Sequence, residues 1–243
     1  MKINDFVVAN SARTYLGLNP RTQATGSVTA TGQSGLEKAD KRIQTQVDVT
    51  SAQLSSFGKL KSTVSEAQTA SRVLSGLSQT STASTQKAAA EKFVSAFNAA
   101  IASAKTTAGV AGDTGASRSA NRVAKDLTAA VSTDSATIDS LKKAGFDLQS
   151  DGTLRLDVKK FESAQATDPN SVRDTLAKVG QQVDKATSEE LASGGRVTTS
   201  VTALTQRSAV LKSQQNALAS LQQTSNSYVN NSYETYGGFR LFG

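Results

Sequence analysis

The chain has no cysteine, no histidine and no tryptophan among its 243 residues, and it has only two prolines. Without cysteine it cannot form a disulfide, and without cysteine or histidine it cannot build a Ser-His triad or a thiolate or imidazole metal site. Aromatic residues make up 5% of the sequence and apolar residues 37%, so a single compact core would contain few large apolar side chains. Because proline is scarce, long helices are possible, and we expect a mainly α protein, an elongated helical bundle.

The chain also lacks a basic stripe, although its net charge is +7. The positive residues are dispersed, and the densest pairs, Lys142-Lys143 and Lys159-Lys160, lie close to acidic residues. We therefore expect no nucleic-acid partner, because such binding needs clustered basic and aromatic side chains. No run of about 18 apolar residues exists and the first residues lack the apolar region of a signal peptide. The sequence predicts no stable membrane insertion, and any export would proceed without a cleaved signal.

Two long helices are predicted, one in an N-terminal arm at residues 41–80 and one in a C-terminal arm at residues 196–243, which ends in an aromatic tail. Apolar residues recur in both at steps of three, four and seven, which is typical of a narrow coiled-coil seam. Ser208 and Gln215 occupy two seam positions, where polar residues lower stability but can fix register. We expect the helices to pair as a coiled coil, with each other or with neighbouring copies. The residues predicted to carry self-association are Leu54, Phe57, Leu60, Val64, Leu204, Leu211 and Leu218.

The remaining segments differ in composition. Residues 1–40 are rich in Thr, Ser, Gly and Gln and are expected to be a flexible N-terminal segment, because they offer little apolar surface to bury. Residues 81–195 are predicted to form a central helical domain. Within it the apolar spacing favours helices at 85–105, 120–131 and 134–143, with a glycine-containing loop at 106–119.

A β-hairpin is predicted at residues 145–157 of this central domain. Apolar and polar residues alternate on both sides of Asp151-Gly152, a dipeptide that favours a tight turn. Asp157 is placed as the N-cap of a following helix, and Asp168-Pro169 as the N-cap and first residue of the next one. The predicted structural core of this region consists of Phe146, Leu148, Leu154, Leu156 and Phe161.

No residue pattern predicts a catalytic, cofactor-binding or metal-binding site. Asp147, Asp151 and Gly152 resemble the start of a calcium loop, but the twelfth position is Val158 where a Glu is required. Glu189 and Glu190 are adjacent, and we expect them to point apart on a solvated helix surface rather than to work as an acid-base pair. We therefore expect a protein that is not an enzyme and needs no cofactor.

The hairpin region resembles a known family. It is similar to the C-terminal core of bacterial flagellar filament-capping proteins, the hook-associated FliD type. The similarity lies in the order of its elements: a glycine, a strand, the residues 151–154 (Asp-Gly-Thr-Leu), a second strand, Asp157, a helix and Asp168-Pro169. Residues 92–101 resemble the Phe-Val-x-x-Tyr-Asn helix of that family, with Phe97 in place of Tyr. The similarity extends to its N-terminal helix at residues 42–70 and to its Gly-Asp loop at residues 112–113.

The resemblance implies a structural, non-enzymatic axial protein of the bacterial flagellum, cap-like and self-assembling, which helps flagellin polymerise at the filament end. Its implied partners are further copies of itself, flagellin or other axial proteins, and the flagellar export apparatus; its implied location is extracellular. The family carries a large β-rich head between its first two helices, whereas residues 76–87 alone fill that place here, so the chain resembles a reduced relative. Two alternatives remain open: a hook-filament junction or minor filament subunit, and a type III-secreted adhesin or translocator-like binding protein.

Overall fold

The structure, a computed structural model, describes residues 28–111 and 114–237, and it describes side chains for residues 35–111 and 114–228. The described residues are mainly α-helical with one small antiparallel hairpin, which confirms the predicted fold class. The helices are α1 (Val28–Ser75), α2 (Ala83–Ala111), α3 (Gly115–Val131), α4 (Ser135–Lys143), α5 (Val158–Thr167), α6 (Pro169–Leu191) and α7 (Arg196–Gly237), and the strands are β1 (Phe146–Leu148) and β2 (Leu154–Leu156).

The described residues fall into two compact units. The terminal unit contains the first part of α1, to Ser51, and the part of α7 from Thr205 onward. The central unit runs from Ala52 to Leu204 and contains the other helices and the hairpin. The first part of α1 thus shares a unit with the last part of α7.

Helix α1 is longer than the sequence predicts. It begins at Val28, whereas the apolar pattern starts only at about Lys41, so residues 28–40 of the segment that was expected to be flexible are helical. Adding a residue to an existing helix costs far less than starting one, and no proline interrupts this stretch. Residues 1–27 lie outside the described part of the chain.

The predicted loop at residues 106–119 is also wrong for most of its length. Helix α2 continues to Ala111, and α3 begins at Gly115 after the N-cap Thr114. The reason is packing: Ala104, Thr107 and Ala108 continue the buried face of α2, and this burial outweighs the weak helix propensity of a single glycine. Gly112 and Asp113 lie outside the described residues.

The predicted helix caps are confirmed. The Asp157 carboxylate accepts a hydrogen bond from the backbone N–H of Lys160 at 3.1 Å, and Asp168 accepts one from Ser171 at 3.0 Å. Pro169 follows Asp168 at the first turn of α6, where its missing N–H has no intrahelical partner to lose. Short side chains therefore fix where α5 and α6 begin.

The hairpin pairs Phe146 with Leu156 and Leu148 with Leu154 in an antiparallel register. Gly152 in its turn has φ +83°, a conformation that glycine adopts without the penalty paid by other residues. The hairpin covers one side of a core built from aromatic and aliphatic side chains of the central unit. The largest fully buried members are Phe57, Phe93, Phe97, Phe146, Phe161, Leu60, Leu74, Ile101, Leu127, Leu176, Val64 and Val123.

Candidate functional site

The helix pair of the terminal unit is the candidate assembly surface. Leu211 and Leu218 lie seven residues apart on α7 and are 3% and 5% exposed. Between them Gln215 donates a hydrogen bond from Nε2 to Oε1 of Gln44 on α1, at 2.8 Å. The same heptad spacing that buries the leucines therefore brings the two helices of this unit into contact.

The seam of this pair is partly polar. Ser208 and Gln215 are half-buried at seam positions of α7, and Thr50 is 1% exposed on α1. The Thr50 hydroxyl has no hydrogen-bond partner among the described residues. A buried hydroxyl without a partner is destabilising, so the pair is held together less firmly than an all-apolar seam would be.

Apolar side chains are exposed beside the seam. Val210 and Leu221 on α7 are 57% and 40% exposed, and Val49 on α1 is 48% exposed. Val210 and Leu221 are eleven residues apart, about three helical turns, so they lie on one face of α7. These two residues and the exposed Val49 of α1, in the same unit, are called the flanking stripe.

The predicted seam residues of the central unit lie inside the chain's own core. Phe57, Leu60 and Val64 are fully buried there, Leu204 is 7% exposed, and Leu54 is half-buried against the same core. Phe57, Leu60 and Val64 leave no surface for a second copy while the central unit is folded. The role of the predicted residues in self-association stays a prediction, and two of them, Leu211 and Leu218, lie in the terminal unit.

The predicted hairpin core surrounds the junction of β1, β2 and α5. Phe146 and Phe161 are buried, with ring centroids 6.0 Å apart and ring planes at 83°, an edge-to-face contact. Leu154 is buried as well, while Leu148 and Leu156 are half-buried. The hairpin is thus packed on one side and open on the other.

Asn98 holds the outer edge of β2, a role that sequence reasoning missed. Its Oδ1 accepts from the Leu154 backbone N–H at 2.8 Å and its Nδ2 donates to the Leu154 carbonyl at 2.7 Å. The amide therefore makes the two bonds that a neighbouring strand would make. The sequence offered one indication of this role: Asn98 is the last residue of the Phe-Val-x-x-Tyr-Asn pattern and directly follows Phe97.

A cluster of charged side chains joins three helices at the turn between α6 and α7. Nη1 of Arg196 donates to Oδ2 of Asp126 at 2.5 Å and to Oε1 of Glu190. Glu190 has a side chain only 3% exposed, so the expectation that both Glu189 and Glu190 are solvated is wrong for Glu190. Burial raises the pKa of the Glu190 carboxyl, against the opposing effect of Arg196.

The acidic turn of the hairpin is closed by bonds of its own side chains. Asp151 accepts from the backbone N–H of Thr153 at 3.0 Å and from its hydroxyl at 2.6 Å, and these bonds lower the pKa of Asp151. Among the described residues no three acidic side chains come close enough to hold a metal ion. Within the same part of the chain no helix is both long and apolar enough to cross a membrane.

Comparison with known families gives one match. The model of a family described as the C-terminus of flagellar hook-associated protein 2 matches residues 77–236. The matched range begins after α1 and includes the hairpin, Asn98, the Arg196 cluster and the helical part of α7. No curated protein and no solved structure matches the chain.

Proposed function

The chain belongs to the family of flagellar hook-associated protein 2, the FliD type, and on this premise we propose that it is a cap-like subunit that self-assembles and assists flagellin polymerisation at the filament end. The family is one of structural flagellar proteins, in keeping with a role that needs no catalytic residue. The observation that carries the proposal is the terminal helix pair. Its seam is partly polar and its flanking stripe is exposed, and both favour association with further helices.

The composition of α7 supports self-association. Residues 213–233 contain no charged residue, so copies of this part of the helix, which includes Leu221, can approach one another without charge repulsion. The flanking stripe adds apolar area that water would leave on association. Val210 and Leu221 together with Val49 are therefore the proposed contacts between copies, with flagellin and other axial proteins as the proposed neighbours in the filament.

The connection between α1 and α2 is the place where a full-length cap of this family would carry its head domain. Helix α1 ends at Ser75 and α2 begins at Ala83, and the residues between them form short turns. No head domain is inserted at this point, which the resemblance leads one to expect in a full-length cap. The proposed subunit therefore acts through its helices and hairpin core.

Electron microscopy of filaments carrying labelled protein tests the location. A cap predicts label at filament tips, and deletion of the gene predicts short filaments with flagellin lost into the medium. Label at the base of the filament would instead identify a junction subunit, and label along its length a minor filament subunit. Intact filaments after deletion, with no label on any of them, would overturn the flagellar role and favour a secreted binding protein.

A further inference from the structure

Arg196 is shared by two carboxylates with very different surroundings. Its Nη1 bonds Asp126 on α3 and Glu190 on α6, while Arg196 itself is the first residue of α7. The Asp126 side chain is 44% exposed, whereas that of Glu190 is 3% exposed. Water can therefore solvate the charge of Asp126, but the charge of Glu190 depends on the single bond to Arg196.

The surroundings of Glu190 stabilise its negative charge only weakly. Its second oxygen, Oε2, is buried and has no hydrogen-bond partner among the described residues. It also lies in the last turn of α6, near the negative end of the helix dipole. A neutral carboxyl costs much less to bury at such a place than an ionised one.

The charged groups around Glu190 come from each packed helix. Arg196 on α7 and Asp126 on α3 act on it directly. On α1, Gln68 donates to Ser188 and Arg72 is paired with Asp184. One guanidinium thus faces two carboxyl groups.

The cluster closes a short turn. The backbone N–H of Gly195 donates to the Ala192 carbonyl at 2.9 Å, and the Thr198 hydroxyl donates to the Leu191 carbonyl at 2.9 Å. Two glycines, Gly194 and Gly195, give this connection backbone freedom. The turn can therefore open locally without unfolding the helices on either side.

We propose that Glu190 is a proton-binding site that controls the turn between α6 and α7: proton uptake favours the closed turn, and proton loss favours an open turn in which Glu190 reaches water. The direction of this pH dependence follows because the closed turn binds the proton on Glu190 more tightly than the open turn does. The closed turn is most favoured below the ordinary pKa of a glutamate and loses this advantage as the pH rises through the higher pKa of buried Glu190. This regulatory role does not depend on the proposed place in the flagellum.

Hydrogen exchange of the whole chain between about pH 4 and pH 8, corrected for the intrinsic pH dependence of exchange, tests the proposal at the amides of residues 192–200. The opening equilibrium constant is expected to rise by up to about tenfold per pH unit between the two pKa values. Glu190→Gln should keep the turn closed at every pH and remove the slope. The matched control Glu189→Gln, an exposed neighbour, should keep the slope.

A protection that does not change with pH, or a slope that survives Glu190→Gln, would overturn the proposal. An equal change at core amides such as Phe93 would also overturn it, because the proton would then act on global unfolding and not on the turn. The wild-type chain provides a second measurement that needs no variant. Carbon-13 NMR of the Glu190 carboxyl should show titration above the ordinary glutamate value, and titration at that value would contradict a proton-binding role.

Discussion

Asn98 replaces a missing strand at the edge of a two-strand sheet. Isolated hairpins are marginally stable in water, and β2 would otherwise leave the N–H and C=O of Leu154 unpaired beside a buried side chain. Both groups bond to one side chain, so Asn98 fastens β2 to α2, while Lys105 of α2 donates to the Asp151 carbonyl in the turn. This contact explains how three-residue strands persist within a helical unit.

Asn98→Ala is expected to lower the free energy of unfolding of the central unit by about 1–3 kcal/mol, because two partly buried backbone groups lose their partners. Urea denaturation of both proteins measures the change. The matched control is Asn121→Ala on α3, an exposed position whose change should stay within about 0.5 kcal/mol. Equal effects at the two sites would show that Asn98 does not hold the hairpin.

Glu190 shows why the burial of a single residue is hard to predict from the sequence. The pair Glu189-Glu190 was correctly placed on one helix, but which of the two is buried depends on where α3 and α7 pack against α6. Charged residues are rarely buried without a partner, so a solvated surface was the expected state. Arg196, six residues further along the chain, supplies the partner only after the chain has turned.

At the level of elements, α6 and α1 pack closely at a glycine. A Cβ atom on Gly180 would lie 2.6 Å from the Ser71 carbonyl oxygen, 2.6 Å from the Ser75 nitrogen and 2.8 Å from the Leu74 Cβ. Real contacts of Cβ atoms are longer than this, and two of the three neighbours are backbone atoms that cannot rotate away. The absence of a side chain at Gly180 is therefore what lets the two helices approach.

Gly180→Ala is expected to destabilise the central unit by about 1–3 kcal/mol, although alanine is the better helix former, because overpacking forces the helices apart. The control Gly58→Ala, in α1, has no atom within 4 Å of its added Cβ and should gain up to about 1 kcal/mol from helix propensity. Thermal unfolding followed by circular dichroism compares them. A stabilised Gly180→Ala protein would disprove the close approach.

The seam of the terminal unit offers a second test at this level. Thr50→Val keeps the side-chain shape and removes a buried hydroxyl that has no partner among the described residues. We expect a gain of about 1 kcal/mol in the stability of the terminal unit, seen as slower hydrogen exchange in residues 40–51. Thr45→Val on the same helix is the control, because Thr45 is exposed and bonds only the Lys41 carbonyl. A loss of protection in Thr50→Val would mean that the hydroxyl is needed.

At the level of the whole molecule, self-association is the property on which the proposed function depends. Val210→Lys and Leu221→Lys should each weaken association by roughly tenfold or more, because each removes an apolar contact and adds a like charge to every copy. Sedimentation measurements over a range of concentrations report the change. Val73→Lys is the matched control, since Val73 is 46% exposed but lies in the central unit. An equal effect of Val73→Lys, or a wild-type chain that stays monomeric at every concentration, would exclude the flanking stripe as the contact.

The amino-acid sequence was sufficient for the features that depend on neighbours in the chain. The two long helices follow from apolar residues at helical spacing, the hairpin from alternation around Asp151-Gly152, and the starts of α5 and α6 from Asp157 and Asp168. Each of these signals acts over a few residues, so it is visible before folding. The order of such signals also carried the resemblance to the family that the match over residues 77–236 then showed.

The tertiary structure alone decided the features that depend on residues far apart in sequence. It extended α2 through Gly109 because the buried face of that helix continues, and it placed Phe57, Leu60 and Val64 inside the chain's own core. It also brought Asn98 to β2 and Arg196 to Asp126, across 56 and 70 residues of chain. Local propensity is worth at most about 1 kcal/mol per residue, whereas burial and pairing are worth more and are set by contacts that no short stretch of sequence contains.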